Sequence, residues 1–198
     1  MSWTRSMNEP IETFRMEDGN ELKIYADDMA DDPRKDTDCL GTMACIHRNY
    51  RLGDIQPATR EEMEALVKDS AVCLPVYLYD HSGLTISTRP FSCPWDSGQI
   101  GYIFVSKEKA RQEFGKLTKK TLGKITDCLR AEIEMYDQYL TGDVYRFEIA
   151  RKCSCKDCGD KHEVILDSCG GFYGHDWKEN GLFVHAGYKP AQKEAGAP

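Results

Sequence analysis

Two hydrophobic periods divide the chain. Short runs alternate apolar with polar residues, and one long run repeats apolar residues every three or four positions. The densest alternation lies in residues 74–107. There, 76–81 and 84–88 are β-branched and aromatic-rich and are separated by Ser82-Gly83, which predicts a hairpin. That register sets His81 opposite Leu84, Tyr79 opposite Ile86 and Tyr77 opposite Thr88. Residues 99–105 are more apolar and predict a third strand, central in its sheet. Between them, residues 89–98 carry two prolines and cannot continue a ladder, so they predict a loop.

The flanking pattern supplies the rest. Residues 13–16 and 21–25 flank Glu17-Asp18-Gly19-Asn20, which predicts a first hairpin. Residues 40–48 predict a short strand ending near His47. Thr59 followed by Glu62 is a capping box, and Met63, Leu66 and Val67 give the helix behind it an apolar face. Ser106 caps another helix, weakened at Gly115, and Thr118 offers a second N-cap. Leu122, Ile125, Leu129, Ile133, Tyr136 and Leu140 then form a long helical stripe, closed by Gly142. Residues 144–149 alternate cleanly and 162–166 predict a further strand. The glycine-rich 167–174 segment reads as packing or a bulge. The expected fold is α+β: a mainly antiparallel sheet packed on one long and one short helix, in a single domain over residues 1–190. A cysteine-rich hairpin occupies 150–170, and 191–198 form a disordered tail.

Composition narrows the class. The chain has 198 residues, 40% hydrophobic and 30% charged, which fits a soluble globular protein. No apolar run is long enough to span a bilayer, and the start lacks the apolar stretch of a signal peptide. Nine cysteines, an odd number, fit mostly free thiols in a reducing cytoplasm. The net charge of −7 argues against a protein that coats nucleic acid with its whole surface.

Charge distribution says more than the total. Residues 9–38 hold eleven acidic and four basic side chains, whereas 107–124 hold seven basic and two acidic ones. Asp27, Asp28, Asp31 and Asp32 lack EF-hand spacing and read as an exposed acidic loop. Lys107, Lys109, Arg111, Lys116, Lys119, Lys120 and Lys124 form the basic segment. Its last three members sit at the positive end of the long helix, while Glu132, Glu134 and Asp137 lie toward the negative end. Each placement opposes the helix dipole, by roughly 0.3–1 kcal/mol. The lysines point to an anionic partner.

Two further groups carry candidate chemistry. The loop collects Cys93, Trp95, Asp96 and Gln99 near one end of the sheet, and His81 ends the first strand of the hairpin before it. They are either a binding or catalytic loop, or a structural one in which Trp95 covers the edge and Asp96 caps a turn. As an enzyme, Cys93 serves as nucleophile with His81 or His47 as base. Cys153, Cys155 and Cys158 include a Cys-x-x-Cys-Gly turn of zinc-knuckle shape, with Cys169 or His162 as fourth donor to a zinc ion. The alternative is a reduced hairpin without metal. Serine-hydrolase elbows, phosphate-binding loops, dinucleotide fingerprints and zinc-protease motifs are all missing.

Four segments carry a resemblance: LGTMACIHRNYRLGD (40–54), HSGLTISTRPFSCPWDSGQIGYIFVSKEKAR (81–111), YDQYLTGDVYRFEI (136–149) and DSCGGFYG (167–174). Together they resemble a widespread family of small accessory proteins encoded by phages, prophages and plasmids of gut Firmicutes. The likeness spans most of 20–182 and is most specific across PFSCPWDSGQ. It departs at Asp36-Thr37-Asp38, where relatives tend to carry an aromatic, and at Gly170, where many carry tryptophan. It supplies no catalytic residues to carry over. What it implies is a mobile-element accessory role in the bacterial cytoplasm. Counter-defence leads: inhibition of a host nuclease such as a CRISPR effector, with nucleic-acid contact through the basic helix and no membrane partner. A small enzyme or ligand-sequestering protein using the 93–99 loop and His81 is the alternative.

Overall fold

The computed structural model describes residues 9–36, 38–154 and 159–190. It is α+β, with antiparallel pairing throughout its named strands, but the strands form two four-stranded sheets rather than one. The first sheet holds β1 (Glu12–Arg15), β2 (Glu21–Ala26), β7 (Val144–Ser154) and β8 (Lys161–Tyr173), in the order β1-β2-β7-β8. The second holds β3 (Thr42–Cys45), β4 (Ser70–Asp80), β5 (Leu84–Ser87) and β6 (Ser97–Ser106), in the order β3-β6-β4-β5. Helices are α1 (Pro33–Asp36), α2 (Arg60–Val67), α3 (Lys107–Phe114), α4 (Lys119–Thr141) and α5 (Leu182–His185). The chain clusters into two compact units, residues 31–141 and the two flanking segments 1–30 and 142–198.

In the unit of residues 31–141, β6 lies between β3 and β4, the interior place its apolar pattern predicts. Thr59 caps α2 by accepting from the Glu62 amide at 3.2 Å, and Glu62 reaches back to the Ala58 amide at 2.8 Å. Ser106 caps α3, Gly115 ends it at φ +72°, and Thr118 caps α4 through the Thr121 amide at 3.2 Å. Ile125, Leu129, Ile133 and Tyr136 of α4 are buried against Met43, Val76, Leu78, Ile86 and Ile103. Burial of each such side chain stabilises by roughly 1.5–3 kcal/mol. That outweighs the few tenths of a kcal/mol each misplaced charge costs at the helix ends.

The central hairpin corrects the predicted register by one residue. Asp80 pairs with Leu84, Tyr79 with Thr85, Leu78 with Ile86 and Tyr77 with Ser87. The loop is therefore His81-Ser82-Gly83, and Ser82 takes the left-handed conformation at φ 61°. A one-residue slip exchanges the two faces of a strand. The observed register puts Leu78 and Ile86, both buried, on the core side together, so tertiary burial overrides the local turn signal.

The other unit builds its core from Leu22, Ile24, Phe147, Trp177 and Leu182. The glycine-rich 167–173 segment is the continuation of β8, opposite β7, with two register shifts where it bulges. β8 is an edge strand, and Val164, Ile165 and Leu166 on it are exposed. The tail at 191–198 lies outside the described residues.

Candidate functional site

The loop between β3 and α2 is held at its base by a buried ionic network. Arg34, whose side chain is only 3% exposed, spans two carboxylates. Its Nε donates to Asp54 Oδ1 at 3.0 Å, and one terminal nitrogen donates to Asp54 Oδ2. The other terminal nitrogen donates to Glu132 Oε2 at 2.9 Å. The Gly41 carbonyl takes a further bond at 2.8 Å. Glu132 also accepts the Leu40 and Gly41 amides, and Asp54 accepts the Met43 amide at 2.7 Å. Burial works against the guanidinium charge, but the Asp54 hydrogen bond and charge more than offset it, so the Arg34 pKa stands above its ordinary value. Glu132 thus has a tertiary reason to stand in α4 against the dipole. So has Asp137, which accepts the Ile86 amide at 2.7 Å.

Above this base, residues 46–54 fold back on β3. The Asp54 and Ile55 amides both donate to the Met43 carbonyl, and the Cys45 amide donates to Ile55. Gly53 allows the turn at φ +74°, where a Cβ would meet the Met43 carbonyl oxygen at 2.8 Å. Gly101 lets β6 approach β3, since a Cβ there would lie 2.0 Å from the Ala44 carbonyl oxygen. His47 Nδ1 accepts the Asn49 and Tyr50 amides, each at 3.3 Å. A nitrogen that accepts carries no proton, so Nε2–H is the donor left to the imidazole. The Tyr50 ring stacks on His47 at 4.9 Å, and its hydroxyl bonds to Asp80, which raises the Tyr50 pKa.

The predicted loop residues gather as follows. Asp96 Oδ2 lies 3.3 Å from His81 Nδ1 and accepts from the Cys93 thiol at 3.8 Å. The carboxylate therefore stands between thiol and imidazole. Among the described residues no hydrogen bond joins Cys93 to His81 or His47. Trp95 is 90% exposed and does not cover the sheet edge. Gln99 stands opposite Tyr77, and its side-chain amide donates to the nearby Gly101 carbonyl at 3.3 Å.

The basic segment divides in two. Lys107 pairs with Asp69 at 2.8 Å, and Lys109 donates to the Cys39 carbonyl at 2.9 Å. Arg111 lies exposed in the field of Asp69. Lys116, Lys119, Lys120 and Lys124 are exposed and make no ion pair among the described residues.

The cysteine hairpin is only partly described, because Cys155 and Cys158 lie outside the described residues. Cys153 faces His162 across the β7–β8 ladder. Cys169 instead faces Phe147, six residues from Cys153 along β7, or roughly 20 Å at strand rise. Of the two candidate fourth donors, His162 stands opposite Cys153 and Cys169 does not. In the acidic loop, Asp27 accepts the Gly171 and Met29 amides, and Asp32 pairs with Lys35. No metal-binding group of three or more donors occurs among the described residues.

No described helix is long and apolar enough to cross a membrane. Comparison with family models, curated proteins and solved structures returns no match to this chain.

Proposed function

We propose that this is a mobile-element binding protein that inhibits a host defence nuclease and contacts nucleic acid through the corner between α3 and α4. The observation that carries the reading is the set of exposed, unpaired lysines 116, 119, 120 and 124 in a chain of net charge −7. Asp54, Glu132 and Asp137 of this unit find cationic or amide partners. These lysines have no ion-pair partner among the described residues, and Lys119 and Lys120 also stand in the first turn of α4, whose dipole repels them. Phosphates would offset both costs through charge-assisted contacts and counterion release. The step from an anion-binding corner to a defence nuclease such as a CRISPR effector rests on the resemblance to phage and plasmid accessory proteins.

The arrangement around Cys93 favours binding over catalysis. The catalytic reading sets an imidazole beside the thiol as its base, and here the thiol's partner is instead the Asp96 carboxylate. The test replaces Lys119, Lys120 and Lys124 together by Gln and measures nucleic-acid binding at two salt concentrations. The parent binds with a steep salt dependence, and the triple variant loses at least tenfold in affinity at moderate ionic strength. Equal binding by both proteins at both salts would leave the lysines as a solvated face and remove the reading.

A further inference from the structure

A second surface lies at the other end of the same sheet. β6 runs ten residues from Ser97 to Ser106, about 30 Å, and α3 begins only at its far end. At its near end are two adjoining clefts. One, of about 430 Å³, is lined by residues 45–51 with Gln56 and Pro57. The other, of about 330 Å³, is lined among others by Leu78, Asp80, Trp95, Asp96 and Ser97. His47 and Arg48 line both, so the clefts join along these two side chains.

The chemistry of the two differs. The first holds Arg48, Arg51 and the imidazole, with no carboxylate in its lining. Both arginines are exposed and make no ion pair among the described residues. The second holds two carboxylates and, at its rim, a tryptophan that touches almost nothing. A ligand filling both must be anionic at one end. At the other it must carry hydrogen-bond donors and a flat apolar face. We infer that the joined clefts are a binding site for a nucleoside phosphate, with phosphate at Arg48 and Arg51 and the nucleoside between Asp80, Asp96 and Trp95.

Each group has a role that its chemistry fits. The guanidinium forks match phosphate oxygens. His47 Nε2–H is a further donor, because Nδ1 is already engaged by two amides. Asp80 and Asp96 accept from ribose hydroxyls or exocyclic amines and repel phosphate, which fixes the ligand's direction. Trp95 supplies a stacking face. The site is pre-formed, since the 46–54 loop is tied to β3 by backbone bonds and anchored below by Asp54 and Arg34. It shares no residue with the lysine corner.

The test is calorimetric titration of the full chain with AMP, adenosine, inorganic phosphate and a short deoxyadenosine strand bearing either a 5′-phosphate or a 5′-hydroxyl. AMP, the 5′-phosphorylated strand, or both bind at one per chain, and the tighter of the two identifies the ligand's source. Adenosine, phosphate and the hydroxyl-ended strand bind at least tenfold more weakly. Arg48→Gln and Arg51→Gln each weaken binding at least tenfold, and Trp95→Ala at least fivefold. The Lys119, Lys120 and Lys124 triple Gln variant binds AMP like the parent, which separates this site from the lysine corner. Three outcomes overturn the inference. Neither AMP nor the phosphorylated strand saturates the protein below about 1 mM, phosphate alone binds as tightly as AMP, or the Arg48 and Trp95 variants bind as the parent does.

Discussion

Replacing Arg34 by Ala tests whether the ionic network is structural in the way its geometry implies. The substitution removes four hydrogen bonds, three to carboxylates and one to the Gly41 carbonyl. It also strands two acidic groups whose side chains are only 26% and 14% exposed, Asp54 and Glu132. Removing one partner of a buried ion pair costs about 3–5 kcal/mol. The low end applies here, because Asp54 keeps the Met43 amide and Glu132 keeps those of Leu40 and Gly41. The expected loss is about 3 kcal/mol, or roughly 12 °C in melting temperature for a unit of this size. Urea and thermal melts at neutral pH, followed by circular dichroism, measure it. Arg34→Lys recovers less than half, because an ammonium cannot bridge two carboxylates as a planar fork does. Glu132→Gln in the Arg34→Ala background recovers part of the loss, because it removes one stranded charge, with a coupling of about 1 kcal/mol or more. A loss under about 0.5 kcal/mol for Arg34→Ala, with no coupling to Glu132, would refute the reasoning and mean that water solvates both carboxylates freely.

Two further predictions follow from other groups. Burial raises the Cys45 thiol and the Tyr136 and Tyr145 hydroxyls to about 12 each, above their ordinary values of 9 to 10. Between those limits the unfolded chain releases protons that the folded chain keeps, so stability falls as pH rises from about 9 toward 12. Melts across that range show it, and a flat profile contradicts it. At the cysteine hairpin, protein purified without chelators carries about one zinc per chain. Cys155→Ser with Cys158→Ser removes it, His162→Ala weakens its retention, and Cys169→Ser leaves it in place; metal-free parent protein ends the zinc reading in favour of a reduced hairpin.

What the sequence reveals is what lies close along it. Thr59 and Glu62 are three residues apart, and the α4 stripe repeats within two turns, so both are legible as printed. The hairpin register is not, because Ser82-Gly83 signals a tight two-residue turn, and only the burial of Leu78 and Ile86 moves the pairing by one. Arg34, Asp54 and Glu132 lie on three distant stretches, and nothing local marks them as partners. Seen from the helix alone, Glu132 and Asp137 look misplaced by the dipole rule, and their partners explain them. That Cys93 and Asp96 share one loop is legible in the sequence; that His81 joins them is seen only in the structure. So is their order in space, and it is that order that sets a carboxylate between the thiol and the ring. Arg48 and Arg51 carry no motif at all; they become a site only where the 46–54 loop folds back beside Trp95. α5 has four residues, too few to show a period, yet Leu182 within it is fully buried.

The division of the chain also sets an order of events during synthesis. β2 pairs with β7, and Leu22 must meet Ile149, more than a hundred residues downstream. At roughly 5–20 residues per second, a ribosome needs about 6–25 s to cover that gap. Every residue of 31–141 is made within it, and mixed domains of that size fold in milliseconds to seconds. The interior unit therefore has time to fold while the β1–β2 hairpin still waits for its partner. A two-stranded hairpin is marginal in water, so Leu22 and Ile24 spend those seconds exposed. The first sheet closes last, around strands made before and after the interior unit.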